Sequence, residues 1–202
     1  QYAYILADCR ARVLFVSEEL WPALRDVAGR MSALEHVVIS GANANGQLKF
    51  SDEIVKESDR YATAETHPEE PAFWLYSSGS TGMPKGVRHL HASLAATADT
   101  YAKQVLGIRE DDVGLSAAKL FFAYGLGNAL TFPMSVGATT VLNSERPTPA
   151  RMFELMQRYN PSIFFGVPTL FAAMLNDETA KNAGGGARLR VCTSAGEAVP
   201  EA

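Results

Sequence analysis

The chain has 202 residues, 47% hydrophobic and 20% charged, with a formal net charge of −4. That apolar share is enough to close a core and excludes a disordered chain, while 16 Gly, 10 Pro and 2 Cys exclude collagen-like and disulfide-dense scaffolds. The length falls between one and two ordinary domains.

Charge is unevenly placed. Between Ser51 and Pro71 there are seven acids and two bases, a local charge of −5, and the remainder carries +1. No basic face suited to nucleic-acid phosphates is present, so no nucleic-acid partner is expected. Cys9 and Cys192 form no CxxC pair, which fits a reducing, cytoplasmic setting. The 23 uncharged residues from Leu120 to Leu142 are long enough to span a bilayer. Gly125, Gly127, Asn128, Pro133 and Gly137 interrupt them and no Lys/Arg cluster flanks them, so they read as buried loop, helix and strand, with no membrane partner. Gln1 opens the chain without a signal-peptide pattern, and both ends are expected to be cuts in a longer sequence.

In chain order, Tyr2, Ile5, Leu6 and Cys9 mark one face of a helix. Val13–Val16 reads as a strand, followed by a helix with Leu20, Leu24, Val27 and Ala28 on one side and Pro22 in its first turn. His36–Ile39 reads as a second strand. Residues 40–71 form a polar excursion with one short helix around Phe50, Ile54 and Val55. Phe73–Tyr76 reads as a buried strand. From about His91 the spacing predicts a helix with Leu94, Ala98, Tyr101 and Val105 on one face, stopped by Gly107.

Strands follow at Asp112–Ala117 and Ala138–Leu142. Thr148 and Pro149 form an N-cap and first-turn pair for a helix whose Met152, Met156 and Tyr159 share a face. Ser162–Phe165 is a strand, Thr169–Leu175 a helix and Leu189–Thr193 a last strand. The alternation predicts an α/β fold with a mainly parallel sheet and helices on both faces.

The run Tyr76-Ser77-Ser78-Gly79-Ser80-Thr81-Gly82-Met83-Pro84-Lys85-Gly86-Val87 follows a predicted strand directly. Its glycines let the backbone approach a ligand closely. Its hydroxyls and free amides offer donors to phosphate oxygens, and Lys85 adds a positive charge. It is not a Walker A loop, because Pro84 replaces the second Gly and Gly86 replaces the Ser or Thr that would hold magnesium. Nor is it a G-x-S-x-G elbow, since Gly79 and Gly82 are three apart.

This run resembles the phosphate-binding signature of the adenylate-forming superfamily, which includes acyl-CoA synthetases, luciferases and adenylation domains. Three later stretches agree in the same order. Leu120-Phe121-Phe122-Ala123-Tyr124-Gly125-Leu126 resembles the acyl-pocket motif, and Phe164-Phe165-Gly166-Val167-Pro168-Thr169-Leu170 the strand-to-helix turn after it. Thr193-Ser194-Ala195-Gly196-Glu197-Ala198-Val199-Pro200 resembles the loop bordering the adenine.

The resemblance implies a two-step ligase using ATP with Mg2+ and then CoA as co-substrate. Ser77, Ser78, Gly79, Ser80, Thr81, Gly82 and Lys85 would bind the ATP phosphates, with Lys85 and Thr81 catalytic. Gly196, Glu197 and Ala198 would border the adenine, backbone mattering more than side chain. Phe122, Ala123 and Tyr124 would line the acyl pocket. The stretch Lys119–Asn128 is most similar to that of benzoate-CoA ligases and their 4-hydroxybenzoate relatives; many family members carry His where Phe122 stands here. A small residue beside a ring suits a flat aromatic acid, while the alternative is that Phe121, Phe122 and Tyr124 merely fill core.

No metal ligand set is apparent. His89 and His91 are two apart, without a third ligand, and His36 and His67 read as solvated. On the resemblance, residues 1–202 are part of the large N-terminal domain, with sub-segments 1–70 and 71–202. The magnesium-binding Glu, ribose-binding Asp and the C-terminal domain with its Lys lie outside it, and the stretch alone is expected to be inactive. A module that binds nucleotide without turnover is the competing reading.

Overall fold

The computed structural model describes residues 1–78, 82–178, 184 and 186–198. The chain forms two compact units, residues 1–67 with 72–89, and residues 68–71 with 90–202.

The first unit opens with α1 (Tyr2–Asp8), β1 (Val13–Ser17), α2 (Trp21–Ala28) and β2 (His36–Ser40). Val13 pairs with His36 and Ser17 with Ser40 in parallel, with α2 as the crossover that a parallel pair requires. Trp21, Leu24 and Ala28 of α2 pack on Val16, Val37 and Ile39. A two-residue strand β3 (Leu48–Lys49), absent from the sequence reading, extends the sheet beside β2. The expected short helix is α3 (Phe50–Ile54), but Phe50, Ile54 and Val55 stay 41%, 52% and 78% exposed.

The unit closes with β4 (Pro71–Ser78) and β5 (Pro84–Leu90), a two-stranded sheet. The expected strand at Phe73–Tyr76 is present but not buried: Trp74 is 47% exposed, because a two-stranded sheet has no flanking strands and its side chains alternate between faces.

The second unit is built on a four-stranded parallel sheet in the order β7-β6-β8-β9, from β6 (Val113–Ser116), β7 (Thr139–Val141), β8 (Ile163–Gly166) and β9 (Val191–Ser194). Every residue of β8 is buried. Phe164 packs into a cluster with Leu115, Met152, Met156 and Met174 on one face. Ile163 and Phe165 point to the other face, with Ala98, Ala102, Leu106 and Phe132. A continuous apolar run is what a strand covered on both sides requires, and the expected α/β fold with helices on both faces is what forms.

One face is covered by α7 (Pro149–Tyr159) and α8 (Pro168–Asn176), the other by the turn Ala98–Ala102 that continues α4 (His91–Thr97) and by α5 (Ala123–Leu126) and α6 (Phe132–Val136). Thr148 caps α7 as expected, its Oγ1 accepting from the Arg151 amide at 3.3 Å. The helix from His91 departs from its expected face. Residues Ala98–Ala102 form a π-helical turn, and the buried positions are Ala98, Ala102 and Leu106, with Val105 70% exposed. A turn closed by i→i+5 bonds takes in an extra residue, so the inward face moves one position along. Gly107, at φ +58°, ends this segment as expected.

At the amino ends of the strands the buried Asp112 and Ser162 form a polar knot with Arg190, whose side chain stays 27% exposed. Asp112 accepts from Arg190 Nε at 3.0 Å, from Ser162 Oγ at 2.6 Å and from the Arg109 amide at 2.8 Å. These donors outweigh the effect of burial, which acts in the opposite direction, and hold the carboxyl at about 2. No helix among the described residues is long and apolar enough to cross a membrane.

Candidate functional site

Ligands of parallel α/β sheets bind beyond the carboxyl ends of the strands, and here three of the quoted motifs meet at that end of the second unit. Strands β6, β8 and β9 finish at Ser116, Gly166 and Ser194. Phe122 then caps α5, whose Tyr124 carries its hydroxyl to 2.6 Å from Thr193 Oγ1, either group able to donate. The Tyr124 hydroxyl also donates to the Gly166 carbonyl at a longer 3.3 Å. Burial, opposed by the Thr193 hydrogen bond, holds the phenol above its usual range.

Beside this contact lies a cleft of about 310 Å³ lined by Tyr101, Ala123, Tyr124, Asn128, Phe132 and Ala195, together with Gly127. An engineered cavity of about 150 Å³ holds benzene, so the cleft has room for one ring and its carboxylate. Ala123 and Tyr124, neighbours in sequence, both line it. Phe122 does not line the cleft: it is 55% exposed and its ring lies 4.5 Å from that of Phe121. Neither of these two phenylalanines fills core.

The cleft depends on Gly125. A Cβ there would stand 2.0 Å from the Lys119 carbonyl oxygen, backbone against backbone. Lys119 in turn donates from Nζ to the Asn143 carbonyl at 2.5 Å and to the Glu145 carbonyl, clipping the turn before α5 to the segment after β7. Burial lowers its pKa, with Glu145 opposing. Asn128 is 2% exposed, and neither its Oδ1 nor its Nδ2 has a hydrogen-bond partner among the described residues. The sequence reading assigned it no role; a polar residue in an otherwise uncharged apolar run was the available signal.

The proposed adenine-border residues follow β9. Gly196 sits at φ +88° and Ala198 is exposed. The Glu197 carboxylate accepts from the Thr169 amide at 3.2 Å and from Thr169 Oγ1 at 3.1 Å, joining the start of α8. Val199 and Pro200 lie outside the described residues.

In the first unit, Ser77 is exposed near the end of β4 and Ser78 ends that strand. Gly79, Ser80 and Thr81 lie outside the described residues. Gly82 has φ +90°, and Lys85 is exposed in β5. Tyr76 and Gly86 lie against one another. The Tyr76 hydroxyl donates to Asp8 Oδ2 at 2.6 Å, and a Cβ on Gly86 would meet the pinned ring at 3.0 Å. Burial, reinforced by Asp8, keeps this phenol well above its usual range. His89 stacks on Phe73 with ring centroids 4.9 Å apart. Among the described residues no group of three or more His, Cys, Asp or Glu is placed to hold a metal.

The AMP-binding enzyme family model matches residues 1–202. A benzoate–CoA ligase of Thauera aromatica is 53% identical over 201 residues, 99% of this chain and 37% of that protein. A 4-hydroxybenzoate–CoA/benzoate–CoA ligase of Rhodopseudomonas palustris is 44% identical over 200 residues, again 99% of this chain and 37% of that protein. Among solved structures, an anthranilate CoA ligase in complex with anthranoyl-AMP superposes with a TM-score of 0.93 at 38% identity, covering 98% of this chain and 39% of that one. A benzoate CoA ligase from Burkholderia xenovorans LB400 gives 0.86 at 41% identity, covering 98% and 38%. The chain therefore spans 37% of the length of these two curated relatives. Matched along its whole length by one family model and at this level by these relatives, it belongs to the AMP-binding enzyme family.

Proposed function

We propose that these residues are part of the large N-terminal domain of an AMP-forming acid–thiol ligase that converts an aromatic carboxylic acid, benzoate first, to its CoA thioester. The observation that carries this reading is the ring-sized cleft beside Tyr124, whose hydroxyl Thr193 holds. The relatives named for benzoate support it.

In the first step the carboxylate attacks the α-phosphate of ATP, which enters as its magnesium complex. The P–O bond to the β-phosphate breaks, leaving acyl-adenylate and pyrophosphate. In the second, the CoA thiolate attacks the acyl carbon and AMP leaves. The leaving pyrophosphate gathers charge, so donors placed on it lower the barrier. Ser77, Ser78, Gly79, Ser80, Thr81, Gly82 and Lys85 supply amides, hydroxyls and a cation of that kind, and Gly196–Ala198 border the adenine. Ala123 leaves room for the ring and Tyr124 offers an edge or face to it.

The test is ATP–pyrophosphate exchange by the full-length protein. Benzoate should support exchange, and added CoA should yield benzoyl-CoA. Exchange with acetate or long-chain acids and none with benzoates overturns the substrate; nucleotide binding without exchange on any acid leaves a non-catalytic module.

A second reading is favoured by Asn128. A hydroxyl or amino group on the ring would give its unpartnered amide a hydrogen bond, and leaving such a group unpaired costs about 1–3 kcal/mol. A higher kcat/KM for 4-hydroxybenzoate or anthranilate than for benzoate in the same panel decides for it.

A further inference from the structure

The turn after β9 is tied at both ends. Thr193, inside β9, is held by the Tyr124 hydroxyl at 2.6 Å, and Glu197, four residues on, is held by both donors of Thr169. Between them Ala195 forms part of the cleft wall and Gly196 takes its left-handed turn at φ +88°.

The Glu197 tie has a physical cause. Helix α8 starts after Val167, whose side chain cannot cap it. The first amides of any helix lack intrahelical acceptors, and its amino end favours negative charge. Glu197, 28 residues away in sequence, supplies an acceptor and a charge together. Because Glu197 itself is exposed, this tie adds little apolar burial to the fold. What it does is restrict where the turn can lie.

We propose that Glu197 is a positioning residue: through Thr169 it holds the Ala195–Ala198 turn in the shape that receives the nucleotide, so that ATP affinity depends on a contact made within the protein. This rests on the adenine-border reading above and deepens it, giving Glu197 a side-chain role where the sequence reading expected backbone to matter more.

The experiment uses the full-length enzyme with Glu197→Ala, Glu197→Gln and Thr169→Val, each assayed for KM of ATP, KM of the aromatic acid, kcat and thermal midpoint. Glu197→Ala should raise KM for ATP roughly tenfold, as expected for losing hydrogen bonds to a charged group at an exposed site. The acid KM should rise by less, since only Ala195 of the turn lines the cleft. Glu197→Gln keeps one carbonyl acceptor and should recover most of the loss, and Thr169→Val, which retains the amide, should fall between. An ATP KM unchanged in Glu197→Ala overturns the proposal. So does a parallel change in both KM values with a lowered thermal midpoint, which marks a purely structural contact. Glu197→Gln behaving like Glu197→Ala also overturns it.

Titration of ribose-labelled fluorescent ATP onto the same variants separates the two levels. If the wild type binds ATP but turns over no aromatic acid, the ligase reading fails while the Glu197→Ala binding loss still tests the tie. If the wild type does not bind ATP, both fail.

Discussion

The hydroxyls of Tyr124 and Thr193 meet at 2.6 Å although 69 residues separate them, one at the first turn of a short helix and the other inside the edge strand of the sheet. The contact fixes the angle at which the Tyr124 ring enters the cleft. Tyr124→Phe keeps the ring and removes the tie, leaving Thr193 Oγ1 without that partner at a cost of about 1 kcal/mol. In the full-length enzyme the acid KM is expected to rise severalfold while the ATP KM stays within about twofold, in steady-state titrations of each substrate. With the phenol held above its usual range by burial, acid binding should show no titration of Tyr124 through the neutral range.

Gly125 should be intolerant of any side chain. An alanine Cβ would sit 2.0 Å from the Lys119 carbonyl, and Lys119 is itself clipped by two carbonyls downstream. Since backbone must move on one side or the other, Gly125→Ala is expected to cost about 1–3 kcal/mol or more. Thermal unfolding reads this loss, and acid binding should suffer beyond nucleotide binding, because α5 forms the cleft wall.

Lys85→Ala isolates chemistry from folding. Lys85 is exposed and makes no ion pair among the described residues, so its removal should leave the thermal midpoint unchanged. If it stabilises charge on the departing pyrophosphate, single-turnover adenylation should slow by about 10²-fold, with the affinity for benzoate barely altered. An unchanged adenylation rate removes Lys85 from the mechanism.

Acid should weaken the second unit through Asp112. Its folded pKa of about 2 lies below the usual 3.8, the Arg190 and Ser162 hydrogen bonds overcoming the opposing effect of burial. A depressed carboxyl pKa contributes stability that is fully present above the unfolded value and is lost as pH falls from about 4 toward 2. The contribution is about 2 kcal/mol at most, from a shift of nearly two pKa units. Denaturant unfolding at pH 7, 4 and 2.5 should show this loss in the wild type and a flatter dependence in Asp112→Asn. The variant should also be less stable at pH 7, where Arg190 loses its counter-charge.

Much of this molecule follows from local chemistry. Thr148 caps α7 and Gly107 ends its helix because each acts on its own backbone neighbours. The unbroken Ile163–Phe165 run announces a strand covered on both faces, because alternate side chains point to opposite sides and all must be apolar. The glycine and hydroxyl pattern after Trp74 offers donors to phosphate oxygens by its own chemistry, whereas the nucleotide and the aromatic acid are what the resemblance of that run and three later motifs to a known family implies.

What only the tertiary structure decided are relations across long separations. The sheet order β7-β6-β8-β9 places Thr193 against Tyr124 and Glu197 against Thr169, and no local propensity encodes which strands become neighbours. The π-helical turn at Ala98–Ala102 moved a buried face by one residue, because packing under Phe165 outweighed the regular 3.6-residue period. Asn128 was likewise invisible as a cleft residue until its helix was set against the sheet, since burial without a partner is a property of the packed structure and not of the residue.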